Sequence, residues 1–184
     1  MLPLMCVFAT GFLGLITATE VQDVSTCRNS LLLRNNVNAK LIEFASEKTW
    51  SYKYVPDFEN NKDLTSMSLI ISPTTSPANS YLLHTIYRIK NYKINPPVDD
   101  TVFLDTNGEI VSSTVSGGQP KYKYAIIDYQ PGKSAYIYKC TTEQGIDGPD
   151  HRYILSLDDF TEEEQKKIEE DDAKYEWIGK IIKV

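Results

Sequence analysis

From Trp50 onward the chain alternates between short runs of Tyr and β-branched residues and clusters of turn-forming ones. Such residues suit a pleated surface that is buried on one side. The runs at 49–55, 66–71, 80–89, 101–105, 109–115, 122–128, 134–141 and 152–157 are therefore predicted as strands. Their separators are explicit: the Pro, Ser and Thr of 73–79, Asn95-Pro96-Pro97, Asn107-Gly108, Gly117-Gly118-Gln119-Pro120, Gln130-Pro131-Gly132, and the stretch 145–150. Asn107-Gly108 between two apolar runs predicts a tight hairpin with φ > 0 at both turn positions. Short strands at this regular spacing predict an all-β sandwich or a closed antiparallel barrel.

After the eighth run the period changes. Thr161 followed by Glu164 is a capping-box signature. Glu162–Lys166 and Glu163–Lys167 stand at helical i,i+4 spacing, so a helix is predicted from there to near Ala173. Its apolar stripe is thin (Phe160, Ile168, Ala173), which places it on the outside of the sheet, with the acidic run 169–172 as a solvated face. Residues 176–182 read as a ninth, closing strand.

Length and charge narrow the picture. At 184 residues the chain fits one domain with one sizeable core. A formal charge of -6 argues against nucleic acid, which needs clustered Lys and Arg. Lys121, Lys123, Lys133 and Lys139 lie scattered among tyrosines and read as solvated strand edges. Residues 1–18 carry no charge, and 7–16 form an apolar run shorter than the roughly 20 residues that cross a bilayer. This segment reads as a secretory signal with Ala18 at the cleavage position, the alternative being an N-terminal core strand. The mature domain is then 19–184, with no integral membrane association and an extracellular location.

Cleavage removes Cys6 and leaves Cys27 and Cys140. In an oxidising compartment they read as one disulfide, the alternative being two free thiols. Closing so long a loop stabilises by about 4–5 kcal/mol in the chain-entropy account. His84 and His151 are far apart and no Cys-x-x-Cys occurs, so no metal site is expected. Nor is an enzyme expected. No Gly-x-Ser-x-Gly, Walker A or His-Glu-x-x-His motif is present. The adjacent pairs Asp99-Asp100 and Asp158-Asp159, read as turn residues, point apart rather than converging.

A secretion signal, eight strands, one late helix and a further strand resemble a lipocalin. Lys48-Thr49-Trp50 stands where that family has Gly-x-Trp, after an apolar stretch (Leu41, Ile42, Phe44) suited to a turn of 3₁₀ helix. Ile127-Asp128-Tyr129 stands where it has Thr-Asp-Tyr between the sixth and seventh strands, and Cys27 and Cys140 match a disulfide of its arthropod bilin-binding and apolipoprotein D-like branch. Lys48 and Ile127 depart from the motifs, and Leu155-Ser156-Leu157-Asp158 replaces the family's Arg at the end of the eighth strand. The resemblance implies an eight-stranded up-and-down barrel, Trp50 plugging its base, and Asp128 and Tyr129 in structural roles.

An eight-stranded barrel either fills itself or holds one small ligand. Alternation, with the eighth strand matched to the family, puts Tyr52, Tyr54, Tyr122, Tyr124, Ala135, Ile137, His151, Tyr153 and Leu155 in the lumen. The expected function is a secreted carrier or scavenger of a small hydrophobic or amphipathic ligand (a lipid, a tetrapyrrole or retinoid-like pigment, or an amine), with no cofactor. Two other readings are a filled barrel, and a scaffold whose surface binds a protease, a host factor or a second copy of itself.

Overall fold

The computed structural model describes residues 27–32, 37–76, 78–92, 95–113, 122–141, 151–175, 177 and 179–184. The expectations for 1–18, 117–120 and 145–150 lie outside them. Nine strands form one antiparallel sheet: β1 (Thr49–Pro56), β2 (Leu64–Thr74), β3 (Ser80–Ile89), β4 (Val98–Leu104), β5 (Ile110–Ser113), β6 (Tyr122–Gln130), β7 (Ser134–Thr141), β8 (His151–Ser156) and β9 (Ile181–Lys183). The first eight follow one another around the sheet, and β1 pairs with β2 as well as β8, which closes the barrel. Strand β9 lies outside that circuit, paired to the end of β1. It is shorter than the predicted 176–182, because Tyr175 and Trp177 pack against the barrel wall instead of entering the sheet.

Among the described residues three α-helices accompany the sheet, α1 (Asn29–Leu32), α2 (Val37–Ser46) and α3 (Glu162–Ala173), with a turn of 3₁₀ helix at Glu59–Asn61. The expected 3₁₀ turn before β1 is thus a full α-helix. Leu41, Phe44 and Ala45, at i, i+3 and i+4, are buried while Ile42 is exposed, so α2 lays one apolar stripe across the end of the barrel. Trp50 is buried beneath it, stacked on Phe44 at 5.2 Å, with its indole Nε1–H donating to the Phe44 carbonyl at 3.2 Å. The helix ends through Lys48, whose φ of 62° places it in the left-handed region, with its N–H on the Ala45 carbonyl.

Turn chemistry fixes the register. Pro131 and Gly132 (φ 67°), between the Gln130 carbonyl and the Lys133 N–H, build a type II turn. The β4–β5 hairpin differs from its expectation. Gly108 alone has φ > 0, and the loop spans three residues, with Gly108 N–H on the Asp105 carbonyl and Asp105 N–H on that of Glu109. The Asp105 carboxylate accepts the N–H groups of Asn107 and Glu109, holding a type I turn plus a glycine bulge. Two further bulges matter more for the lumen. β1 slips between Tyr52 and Tyr54, and β6 slips between Ile126 and Asp128. Each reverses which residues point inward beyond it.

The outer wall is packed as carefully as the inner one. Leu31, Leu32, Ala125, Tyr138 and Cys140 form a second core outside β6 and β7. There Cys27 and Cys140 are joined in a disulfide, with Cα atoms 5.2 Å apart. Trp177 stacks on Tyr138 at 5.4 Å, and the guanidinium groups of Arg28 and Arg152 lie 4.9 and 5.1 Å from its centroid. Arg152, on the outward parity of β8, is 1% exposed and grips Asp172 of α3 with two bonds of 2.7 and 2.8 Å. The Tyr136 hydroxyl donates to the same carboxylate. Asp172 is therefore the anchor of α3 rather than part of a solvated face, and Ala173, expected in the apolar stripe, is exposed. The capping box at Thr161 forms as read, with Glu164 N–H on Thr161 Oγ1 at 3.3 Å and Thr161 N–H on Glu164 at 2.9 Å. Along α3 the ion pairs are Lys166–Glu170 and, at the end of the helix, Lys174–Asp171, and neither predicted pair forms.

Candidate ligand-binding cavity

Inward positions of the barrel do not meet across its axis. They enclose a cavity of about 760 Å³. Leu41 and Phe44 of α2 make its floor, and Leu69, Leu83, Val102, Ile110, Ile126 and Ile137 its apolar walls. The end opposite α2 is lined by Glu59, Asn60, Asn61 and Asp63 of the β1–β2 connection, together with Tyr92, Asn95 and Pro96 before β4.

A polar group of side chains interrupts the apolar wall. Asp100 of β4 accepts the Lys139 ammonium and the Tyr124 hydroxyl on the same oxygen, Oδ2, both at 3.0 Å. Lys139 Nζ also sits 4.0 Å from the centroid of the Tyr122 ring and 5.3 Å from that of Tyr124. Tyr52 and Tyr153 meet edge to face at 5.6 Å on the neighbouring strands β1 and β8. Burial raises the Tyr52 hydroxyl to about 12, against a bond to Thr85 that pulls the other way. Burial, followed by the Asp100 charge, holds Tyr124 well above its ordinary value. Burial also raises Tyr153, with Tyr52 adding to it. Near neutrality these tyrosines are therefore neutral hydroxyls, able to donate or accept.

The residues expected in the lumen divide by depth. Tyr52, Tyr124, Ile137 and Tyr153 line the cavity. Ala135 and Leu155 face inward lower down, in the solid core around Trp50. Tyr122 and His151 share the inward parity near the opposite end, Tyr122 against Lys139 and His151 with its ring on Phe58 at 4.7 Å, and neither belongs to the lining. Tyr54 leaves the lumen. The bulge in β1 pairs it with the outward Ile154, and it is buried near Glu169 of α3, a charge that adds to burial in raising its hydroxyl. The β6 bulge turns Tyr129 inward, its ring 6.4 Å from Trp50, and leaves Asp128 exposed on the outer surface.

Two functional-site candidates were missed. The sequence pattern puts Asp100 in a turn, but β4 begins at Val98, so Asp99 points out to His84 (2.5 Å) while Asp100 points in. Lys139, expected at a solvated strand edge, lies inside. It shares the parity of Ala135 and Ile137, and applying that alternation consistently places it in the lumen.

No family model matches the sequence, and no curated protein does. Solved structures are similar. Lobster apocrustacyanin A1 superposes with a TM-score of 0.55 at 14% identity, over 83% of this chain and 85% of that one. Apocrustacyanin C1 gives 0.55 at 15% identity, over 89% and 87%. The siderocalin Ex-FABP gives 0.51 at 9% identity, over 71% and 86%. All three are lipocalins. At such identities the likeness is one of architecture, and it agrees with the closed eight-stranded barrel, the outlying β9 and the helix between β8 and β9: this chain has the lipocalin fold.

Proposed function

We propose that the chain is a secreted carrier that holds one small hydrophobic or amphipathic ligand in the barrel. The carrying observation is the cavity of about 760 Å³, within the size range of small-molecule sites. An apolar floor and walls with one polar group on the side supply what such a ligand needs: area to bury, and a few donors and acceptors to orient it. Export is supported by the apolar segment 1–18 and by the Cys27–Cys140 disulfide, which persists in oxidising compartments. Among the described residues no helix is long and apolar enough to cross a membrane. Binding rather than catalysis is the reading, since Asp100 is engaged by Lys139 and Tyr124 rather than poised beside a second carboxylate or a nucleophile. The siderocalin neighbour is described as working through dual ligand specificities, which fits a cavity of this kind.

Native mass spectrometry of the secreted protein, with its absorbance spectrum, tests this. A co-purifying small molecule, or uptake of fluorescent fatty-acid or retinoid probes, is the expected result. A bare chain that takes up no probe overturns it, and the scaffold reading then stands.

A further inference from the structure

The charges lining the cavity are unequal in sign. Among the described lining residues Glu59, Asp63 and Asp100 are acidic and Lys139 alone is basic. Lys139 is itself spoken for: its ammonium rests on Asp100 Oδ2 and against the faces of Tyr122 and Tyr124. A carboxylate flanked by aromatic faces is the arrangement that holds an alkylammonium group, and here the wall already holds one, its own. Both hydrogen bonds to Asp100 fall on Oδ2, and among the described residues Oδ1 receives none. Asp100 is thus an acceptor with one oxygen still to fill, facing a cavity whose far end carries two more carboxylates, Glu59, paired with Lys62 at 2.7 Å, and Asp63, which adds negative charge there.

We infer that the cavity selects small organic cations, a primary ammonium on an apolar body, with the head group on Asp100 in competition with Lys139 and the body against Leu69, Leu83, Val102 and Ile126. This rests on the carrier reading and adds the ligand class to it. Competition makes a prediction of definite sign. Removing the lysine must strengthen binding of an amine, because the resident cation no longer holds the carboxylate. If the lysine instead recognised a ligand anion, removing it would abolish binding.

Titration calorimetry of the full secreted chain with octylamine, octanol and octanoate separates these cases. Octylamine is expected to bind about tenfold tighter than octanol, as a charge-assisted hydrogen bond implies. Lys139→Met, and Lys139→Gln as a second variant, are expected to tighten octylamine severalfold, and Asp100→Asn to reduce it to the octanol level. A native-like circular dichroism spectrum and a cooperative urea transition in all three variants show that the barrel is intact. Preference for octanoate with its loss in the lysine variants overturns the inference. Equal binding of octylamine and octanol also overturns it while leaving the carrier reading in place. Failure of all three ligands to bind overturns both.

Discussion

At the scale of single residues, Lys48 shows a local cost accepted for geometry. It occupies the position after α2 where the chain must turn back into β1, and its carbonyl receives the Ile71 N–H at 2.6 Å, tying that turn to β2. The left-handed conformation at φ 62° costs a residue with a Cβ about 1–2 kcal/mol. Glycine removes that cost but gives back about 0.5–1 kcal/mol through the greater freedom of the unfolded chain. Lys48→Gly is therefore expected to stabilise the protein by about 0.5–1 kcal/mol in urea denaturation. Lys48→Ala, which keeps the Cβ, should leave stability nearly unchanged. Equal effects from the two variants would show that the lysine side chain, not the backbone, sets the balance. The family motif has glycine at this place, so the departure noted in the sequence is one of side chain and not of backbone conformation.

At the scale of elements, α3 is fixed by a buried ion pair rather than by its apolar stripe. Arg152 and Asp172 are both buried, and the pair is completed by the Tyr136 hydroxyl and the Gly179 carbonyl, 3.0 Å from Arg152. Removing one member of such a pair strands the other charge, which costs about 3–5 kcal/mol, whereas replacing both by apolar groups is often close to neutral. Asp172→Asn should accordingly lower the urea stability by about 3 kcal/mol, and Arg152→Met combined with Asp172→Leu should recover most of it. A double variant as unstable as the single one would sink this account. The same helix shows where legibility ended. Its start was readable because a capping box is local, Thr161 and Glu164 lying three residues apart. Its anchor was not, because Arg152 and Asp172 are 20 residues apart and meet only once the helix lies on the sheet. Strands behaved likewise. Period and turn residues located all eight barrel strands, yet the bulges at Lys53 and Ile127 leave no sequence mark, so parity failed at Tyr54 while it held for Tyr52, Tyr124 and Tyr153. Asp100 was hidden by a boundary error of three residues at the start of β4.

At the scale of the whole molecule, the barrel keeps part of its interior free of side chains, so the packing that stabilises it is concentrated at the Trp50 base and on the outer wall around Tyr138. Tyrosine links these regions, and its ionisation gives the molecule a common weak point. Tyr124 borders the cavity and Tyr136 lies under α3; both are raised above the ordinary value of 10.0, first by burial and then by an adjacent carboxylate, Asp100 or Asp172. Tyr52 and Tyr153 are raised mainly by burial. A group whose folded value exceeds its unfolded one favours the fold fully below the unfolded value, and that contribution is lost as pH rises towards the folded value. Stability set by these rings should therefore be level from neutrality to near pH 10, then fall steeply as the unfolded chain ionises and the folded one does not. Urea midpoints across that range should show the break. Ultraviolet titration should show Tyr52, Tyr124, Tyr136 and Tyr153 ionising only with unfolding. Tyr136→Phe should lessen the alkaline loss, since a ring without a hydroxyl carries no charge into the unfolded state. All twelve tyrosines ionising together in a chain that stays folded would contradict the burial assigned to these four.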